Sequence, residues 1–279
     1  MFNVLSDIHL EKTHAKSVIR RINSIIPHHR ARFLLLAGDI GDPFSTSFWR
    51  YIETQSFLYE KVFFVTGNKE YNLSNDIKNE IRIVHQHIHE QLEHKRLNNV
   101  YFLDERSMEL EDFFIIGTTL WTNIPKKNNT RRWEIQGLPI PRQIVHVSPS
   151  TQEKRHNLSK KTYRNDEAID SMFQWNVKFL ETEIQKAHKS NPNKPIIVLT
   201  HFSPTKNTPS LGLEDYFHSV DLEAHVPSFN LVNTYVYGHT HLNPPNVCIY
   251  NKIRYISNQV GHNVTKVLDG CHLDFSFLV

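Results

Sequence analysis

Residues 62–72 read VFFVTGNKEYN. The apolar run Val62 to Val65 stops at Thr66 and Gly67, and Asn68, Lys69 and Glu70 follow with no hydrophobic continuation. A short unbroken apolar run ending at a turn signal is the pattern of a strand buried on both faces, as in parallel sheets. Polar groups just past such a strand stand where sites are usually built. The pattern recurs in FNVLSDIH at 2–9, RFLLLAGDIGD at 32–42, KPIIVLTHFSP at 194–204 and NTYVYGHTH at 233–241.

Helical spacing lies between these runs. AKSVIRRINSII puts Val18, Ile22, Ile25 and Ile26 on one face, and TSFWRYIETQSFLY at 46–59 repeats the pattern. A long polar helix is predicted over about residues 75–95, with His85, His87, His89 and His94 on a solvated face. A further helix over 166–189 offers Ile169, Phe173, Trp175, Phe179, Leu180 and Ile184 as apolar positions. Strands alternating with helices predict parallel βαβ units, whose ligands bind beyond the carboxyl ends of the strands. VYFLD, SMELED and FFIIGTTLW read as short, partly antiparallel strands, and the segments after residue 246 as β-hairpins. The reading is a single domain over 1–279 with two facing sheets and helices outside.

The chain of 279 residues is 39% hydrophobic, ample for a core, and its formal charge of +3 is too mild to signal nucleic-acid binding. Cys248 and Cys271 suit a reducing compartment better than a disulfide framework. Strand residues begin almost at Met1 with no apolar leader, and no run is long enough to span a bilayer. The expectation is a cytoplasmic protein with no membrane partner. Residues 122–165 are different: they hold four prolines, and Lys126, Lys127, Arg131, Arg132 and Arg142 are among many basic residues that face only Glu134 and Glu153. A long aperiodic stretch of this kind reads as a basic loop or lid, with Arg131, Arg132 and Arg142 as candidate phosphate contacts.

The polar strand ends form one set: Asp7, His9, Asp39, Asn68, His201, His239 and His241. Residues in each x-spaced pair point the same way if the backbone stays extended. Imidazoles, carboxylates and one amide oxygen suit first-row cations such as Mn²⁺, Fe or Zn²⁺ better than Ca²⁺ or Mg²⁺. Seven donors exceed one tetrahedral ion but fit two adjacent ions that share a carboxylate, an arrangement found in phosphatases and nucleases.

In order along the chain, SDIH at 6–9, GDIGD at 38–42, GNKE at 67–70, THFSP at 200–204 and GHTH at 238–241 resemble the motifs of the calcineurin-like metallophosphoesterase superfamily. IIGTTLWTN ahead of a long helix looks like a cytoplasmic, mostly bacterial branch of it. The resemblance implies a four-layer αββα sandwich with two facing mixed sheets. It also implies a dinuclear centre, with one ion on Asp7, His9, Asp39 and His241 and the other on Asp39, Asn68, His201 and His239. The implied reaction is hydrolysis of phosphomonoesters or phosphodiesters by a metal-bound hydroxide, with a nucleotide or other small phosphorylated molecule favoured as substrate. A phosphoprotein phosphatase, or a metal-binding scaffold weakened in catalysis, is the alternative. Asp42 is expected to fix a histidine or its own loop, Tyr71 to line the entrance, Glu70 to bond locally, and His262 to approach the site. The departure is Lys69, where the family pattern has a histidine that contacts phosphate and protonates the leaving oxygen. A lysine there would act as a point charge or as an acid of altered strength.

Overall fold

The computed structural model describes residues 1–12, 17–27, 30–71, 77–122, 165–205, 220–243, 247–261 and 270–278. The basic stretch containing Arg131, Arg132 and Arg142 lies outside the described residues, as does His262.

The run at 62–65 falls within β3 (Lys61–Val65), which lies between β2 (Phe33–Ala37) and β4 (Val100–Phe102). With β1 (Phe2–Leu5) these strands run parallel, and β11 (Ser276–Phe277) is added antiparallel beside β1. The second sheet has the order β5-β6-β7-β8-β10-β9, formed by Arg106–Glu109, Phe114–Thr118, Ile196–Thr200, Thr234–Tyr237, Ile253–Ser257 and Cys248–Tyr250. Its four middle strands are parallel, and β5 and β9 are antiparallel edges.

Alternation along each strand gives both sheets two apolar faces. Val4, Leu35, Phe63 and Val65 pack toward Ile115, Ile197, Leu199, Val236 and Ile256 of the other sheet. The opposite faces, with Leu34, Leu36, Phe64, Ile116 and Val198, are covered by helices. Those helices are α1 (Val18–Ser24), α2 (Thr46–Leu58) and α3 (Ile77–His94) on one side and α4 (Asn165–Ser190) on the other. The result is the αββα sandwich. Phe63 is fully buried in its centre, and truncating it to alanine should cost about 3–5 kcal/mol. No helix among the described residues is long and apolar enough to cross a membrane.

Register places the functional ends. Leu5 is level with Leu36, and Leu36 with Phe64, so the first three strands stop together. Thr118 is level with Thr200, and Leu199 with Val236, in the other sheet. The loops leaving β1, β2, β3, β7 and β8 therefore meet on one edge of the sandwich.

Three features depart from the sequence pattern. β9 and β10 form the expected hairpin, but β11 crosses to the first sheet, where Phe277 stacks on Phe2 with ring centroids 5.1 Å apart. Trp175 is not a core residue. The buried stripe of α4 runs Ile169, Phe173, Asn176, Leu180, Ile184, and Trp175 falls off that face, 57% exposed, donating to Glu105 Oε2 at 2.7 Å. Three of the α3 histidines make contacts that a solvated face does not predict, while His94 is exposed. His87 stacks on Phe44, His89 lays its ring against Phe102, and His85 lies 3.0 Å from Asp104 Oδ2.

That last contact belongs to a buried network joining the two sheets to α3. Asp104 Oδ1 accepts from the Thr119 N–H (3.0 Å), and Oδ2 accepts from Thr66 Oγ1 (2.9 Å) and Thr119 Oγ1 (3.1 Å). Tyr71 Oη completes it, 2.7 Å from both Thr66 Oγ1 and His85 Nε2. Burial alone would raise the Asp104 carboxyl pKa, but His85 and the hydroxyl and N–H donors hold it below the usual carboxylate value. Asp104→Asn should therefore cost about 1–3 kcal/mol near neutral pH. Because the folded-state pKa is depressed, the carboxylate's contribution is fully present above the unfolded value near 4 and fades as pH falls through the folded one. Denaturant unfolding at pH 7 and at pH 3 should show the gap between wild type and variant narrowing in acid.

Candidate metal centre

The loops after β1, β2 and β8 reach the centre through an unusual backbone rather than an extended one. Asp7, His9, Asp39, His239 and His241 all have φ between 51 and 67°. Left-handed backbone is uncommon for residues other than glycine, although Asp and His tolerate it better than most. The spaced pairs thus converge because each residue turns left just past its strand, not by strand alternation. Main-chain bonds between loops hold the turns: Asp7 N–H to Gly38 O (3.1 Å), His9 N–H to Asp39 O (3.0 Å) and Gly238 N–H to His201 O (2.9 Å). Two glycines permit the close approach. A Cβ on Gly67 would lie 2.2 Å from Asp39 Oδ1, and one on Gly238 would lie 2.6 Å from Asp7 Oδ2.

Two groups of side chains could each hold a metal ion: Asp7, His9 and His241, and Asp39, His201 and His239. In the first, His241 Nε2 lies 3.2 Å from Asp7 Oδ1 and 3.4 Å from His9 Nε2. In the second, His201 Nε2 lies 3.2 Å from His239 Nδ1 and 3.1 Å from Asn68 Oδ1. His201 donates from Nδ1 to the Ala37 carbonyl at 2.8 Å, so Nε2 presents a lone pair to the cluster. Asp39 stands between the groups, Oδ2 3.7 Å from His9 Nε2 and Oδ1 3.4 Å from His201 Nε2. All these side chains are buried except those of His239 and His241, which are partly open.

Electrostatics follow from this crowding. Burial would raise the Asp7 pKa, but His241, His201 and His9 hold it below the ordinary range. Burial pulls His241 down, yet Asp7 and Asp39 outweigh it and the imidazole pKa rises. The Lys69 ammonium is lowered by burial and by Lys12, against the pull of Asp39 and Glu11. Its backbone N–H donates to Asp39 Oδ1 at 2.8 Å.

A scan against family models matches residues 2–243 to the model described as calcineurin-like phosphoesterase. The chain belongs to that family. The uncharacterized protein L509 of Acanthamoeba polyphaga mimivirus is 28% identical over 275 residues, covering 93% of this chain and 90% of that protein. Among solved structures, one described as a 5'-nucleotidase from Staphylococcus aureus in complex with α-ketoglutarate matches at 14% identity and a TM-score of 0.44. The match covers 92% of this chain and 48% of that one, so the chain spans about half that protein's length.

Within this calcineurin-like phosphoesterase chain, the structure brings Asp7, His9, Asp39, Asn68, His201, His239 and His241 together, with Lys69 beside them. Asp42 fixes its own loop: Oδ1 accepts from the Phe44 N–H at 2.9 Å. Tyr71 does not line an entrance; it is 1% exposed within the Asp104 network. Glu70 does not bond only locally. Its Oε2 accepts from Gly67 N–H (2.8 Å) and Asp39 N–H (3.2 Å), and its Oε1 from Ile40 N–H (2.6 Å) and Gly41 N–H (3.3 Å). Gln259 does the same for the other side. Its Oε1 accepts from His241 N–H at 2.6 Å, and its Nε2 donates to Thr240 Oγ1 and the Leu242 carbonyl. Glu70 reaches residues 39–41 and Gln259 reaches His241 across 18 positions, so neither role is visible in local spacing.

Glu70→Ala should cost about 3 kcal/mol or more, because several buried N–H groups lose their acceptor. Glu70→Gln should be nearly as damaging, since one amide NH₂ must face two N–H donors. Thermal melts of both variants check this, and a glutamine that restores wild-type stability would refute the acceptor account.

Proposed function

We propose that this chain is a dinuclear-metal-dependent phosphoesterase. Asp7, His9, Asp39 and His241 would hold one ion, and Asp39, Asn68, His201 and His239 the other. The observation that carries the reading is Asp39, whose two oxygens each face a different histidine cluster. The chemistry of the donor set supports the same reading. The His239 Nδ1 nitrogen, the Asp39 Oδ1 carboxylate oxygen and the Asn68 amide oxygen crowd within 3.1–3.4 Å of His201 Nε2, a grouping of acceptors that favours a cation among them. The mixture of imidazole nitrogens with carboxylate and amide oxygens suits borderline first-row cations, with Mn²⁺ proposed and Fe or Zn²⁺ as substitutes.

Divalent ions seated there would activate water as the nucleophile and clamp phosphoryl oxygens. The protein's own part is geometric. Glu70 and the Lys69 N–H hold Asp39 between the two clusters, and Gln259 holds the His241 loop. Asn68 adds an oxygen donor without adding charge, so the site keeps a net attraction for a phosphate dianion. Lys69 is half-buried at the rim, where its ammonium can bear on phosphate or on the leaving oxygen. Substrates would be phosphomonoesters or phosphodiesters, with a nucleotide or other small phosphorylated molecule preferred.

The test is hydrolysis of a panel of mono-, di- and pyrophosphate esters by protein reconstituted with Mn²⁺. Asp39→Asn should lose activity by at least about a hundredfold, and activity that survives it would place the reaction elsewhere. Lys69→His should then be compared over a series of leaving groups. If residue 69 protonates the leaving oxygen, the gain should be largest for poor leaving groups and small for good ones. An equal gain throughout would leave residue 69 only a charge-stabilising role.

A further inference from the structure

Glu11 has no place in the motif pattern, yet it sits against a proposed ligand. After the left-handed turn at His9, the chain forms a single 3-10 turn, Leu10–Lys12, closed by Lys12 N–H to His9 O at 3.0 Å. Leu10 anchors this turn: it is 1% exposed, and its N–H donates to the Ile40 carbonyl at 3.0 Å. The turn carries the Glu11 carboxylate back to the ring it has just left, with Oε1 3.0 Å from His9 Nδ1.

For the fold alone, this carboxylate is a cost. Its side chain is 17% exposed, and Oε2 is buried without a hydrogen-bond partner among the described residues. A charge withdrawn from water and bonded through one oxygen does not stabilise a protein by itself. Among the described residues its one hydrogen-bond partner is the His9 ring. A carboxylate at Nδ1 requires the proton there, which leaves the Nε2 lone pair directed at Asp7, Asp39 and His241. His201 is oriented the same way, but by the neutral Ala37 carbonyl. A charged acceptor also makes the imidazole a stronger donor, as in carboxylate–histidine–metal triads.

We propose that Glu11 is a positioning residue for the Asp7, His9 and His241 cluster, fixing the His9 tautomer and making this cluster the tighter of two unequal cation sites. The inference rests on the dinuclear reading above.

The test is titration of Mn²⁺ into metal-stripped full-length protein, following free Mn²⁺ by its paramagnetic resonance signal. Wild type should take up two ions. Glu11→Ala should weaken one of them by roughly 10–100-fold and leave the other unchanged. The affected ion should be the same one lost in Asp7→Asn. Glu11→Gln keeps an acceptor for Nδ1–H without the charge and should fall between wild type and alanine. It also carries the test if the alanine variant does not fold. A Glu11 variant that binds both ions like wild type, or weakens both equally, overturns the proposal. A wild-type protein that takes up fewer than two ions overturns the dinuclear reading itself, and the inference with it.

Discussion

The structure depends on a concentration of electron-pair donors where water is largely excluded. Around Asp39, carboxylate oxygens, imidazole nitrogens and an amide oxygen approach to 3.1–3.7 Å, and most of their side chains are buried. Without a cation, such a cluster opposes folding, because buried acceptors repel one another and lose their hydration. Protonation offers partial relief: the His241 pKa rises and that of Asp7 falls, so the pair tends toward an imidazolium–carboxylate. Proton and metal would therefore compete for the same lone pairs, and cation affinity should fall wherever the histidines hold protons.

The scaffold sustains this in two ways. The sheets supply rigidity, with apolar residues filling the space between them and under the helices. The loops supply strain: the left-handed residues each cost on the order of 1 kcal/mol. Strain of that size persists only if the surroundings over-determine it. Glu70 and Gln259 are the surroundings in question. Each side chain uses both of its polar atoms on loop groups next to a proposed ligand, so the loop cannot relax without stranding buried donors. Between them they brace the two sides of the centre, one from the β3 loop and one from the end of β10.

Much of this was legible in the sequence, and the reason is local. A buried parallel strand must be apolar throughout, so the point where it turns polar marks its end, and the strand-end residues announce themselves. That is why Asp7, His9, Asp39, Asn68, His201, His239 and His241 could be named before any coordinates. What escaped was every feature set by tertiary contact. Glu70 looked like a local bonder because its bonds to residues 39–41 span about 30 positions of sequence. Trp175 looked apolar enough for the core, but its position on α4 turns it outward. Tyr71 follows the GNKE block by one residue, yet its ring packs on Trp121, beneath the loop that was expected to expose it.

Position 69 shows why a motif can lose its expected residue and keep its architecture. The Lys69 backbone N–H donates to Asp39 Oδ1, a bond that any residue other than proline supplies equally. The side chain meets a separate demand, set by Asp39 and Glu11 on one side and Lys12 on the other. Holding Asp39 and placing a charged side chain beside it are therefore independent tasks at one residue. Exchanging imidazole for an amine alters only the second, so the proposed cradle for cations would stay intact while the chemistry proposed at its rim would change.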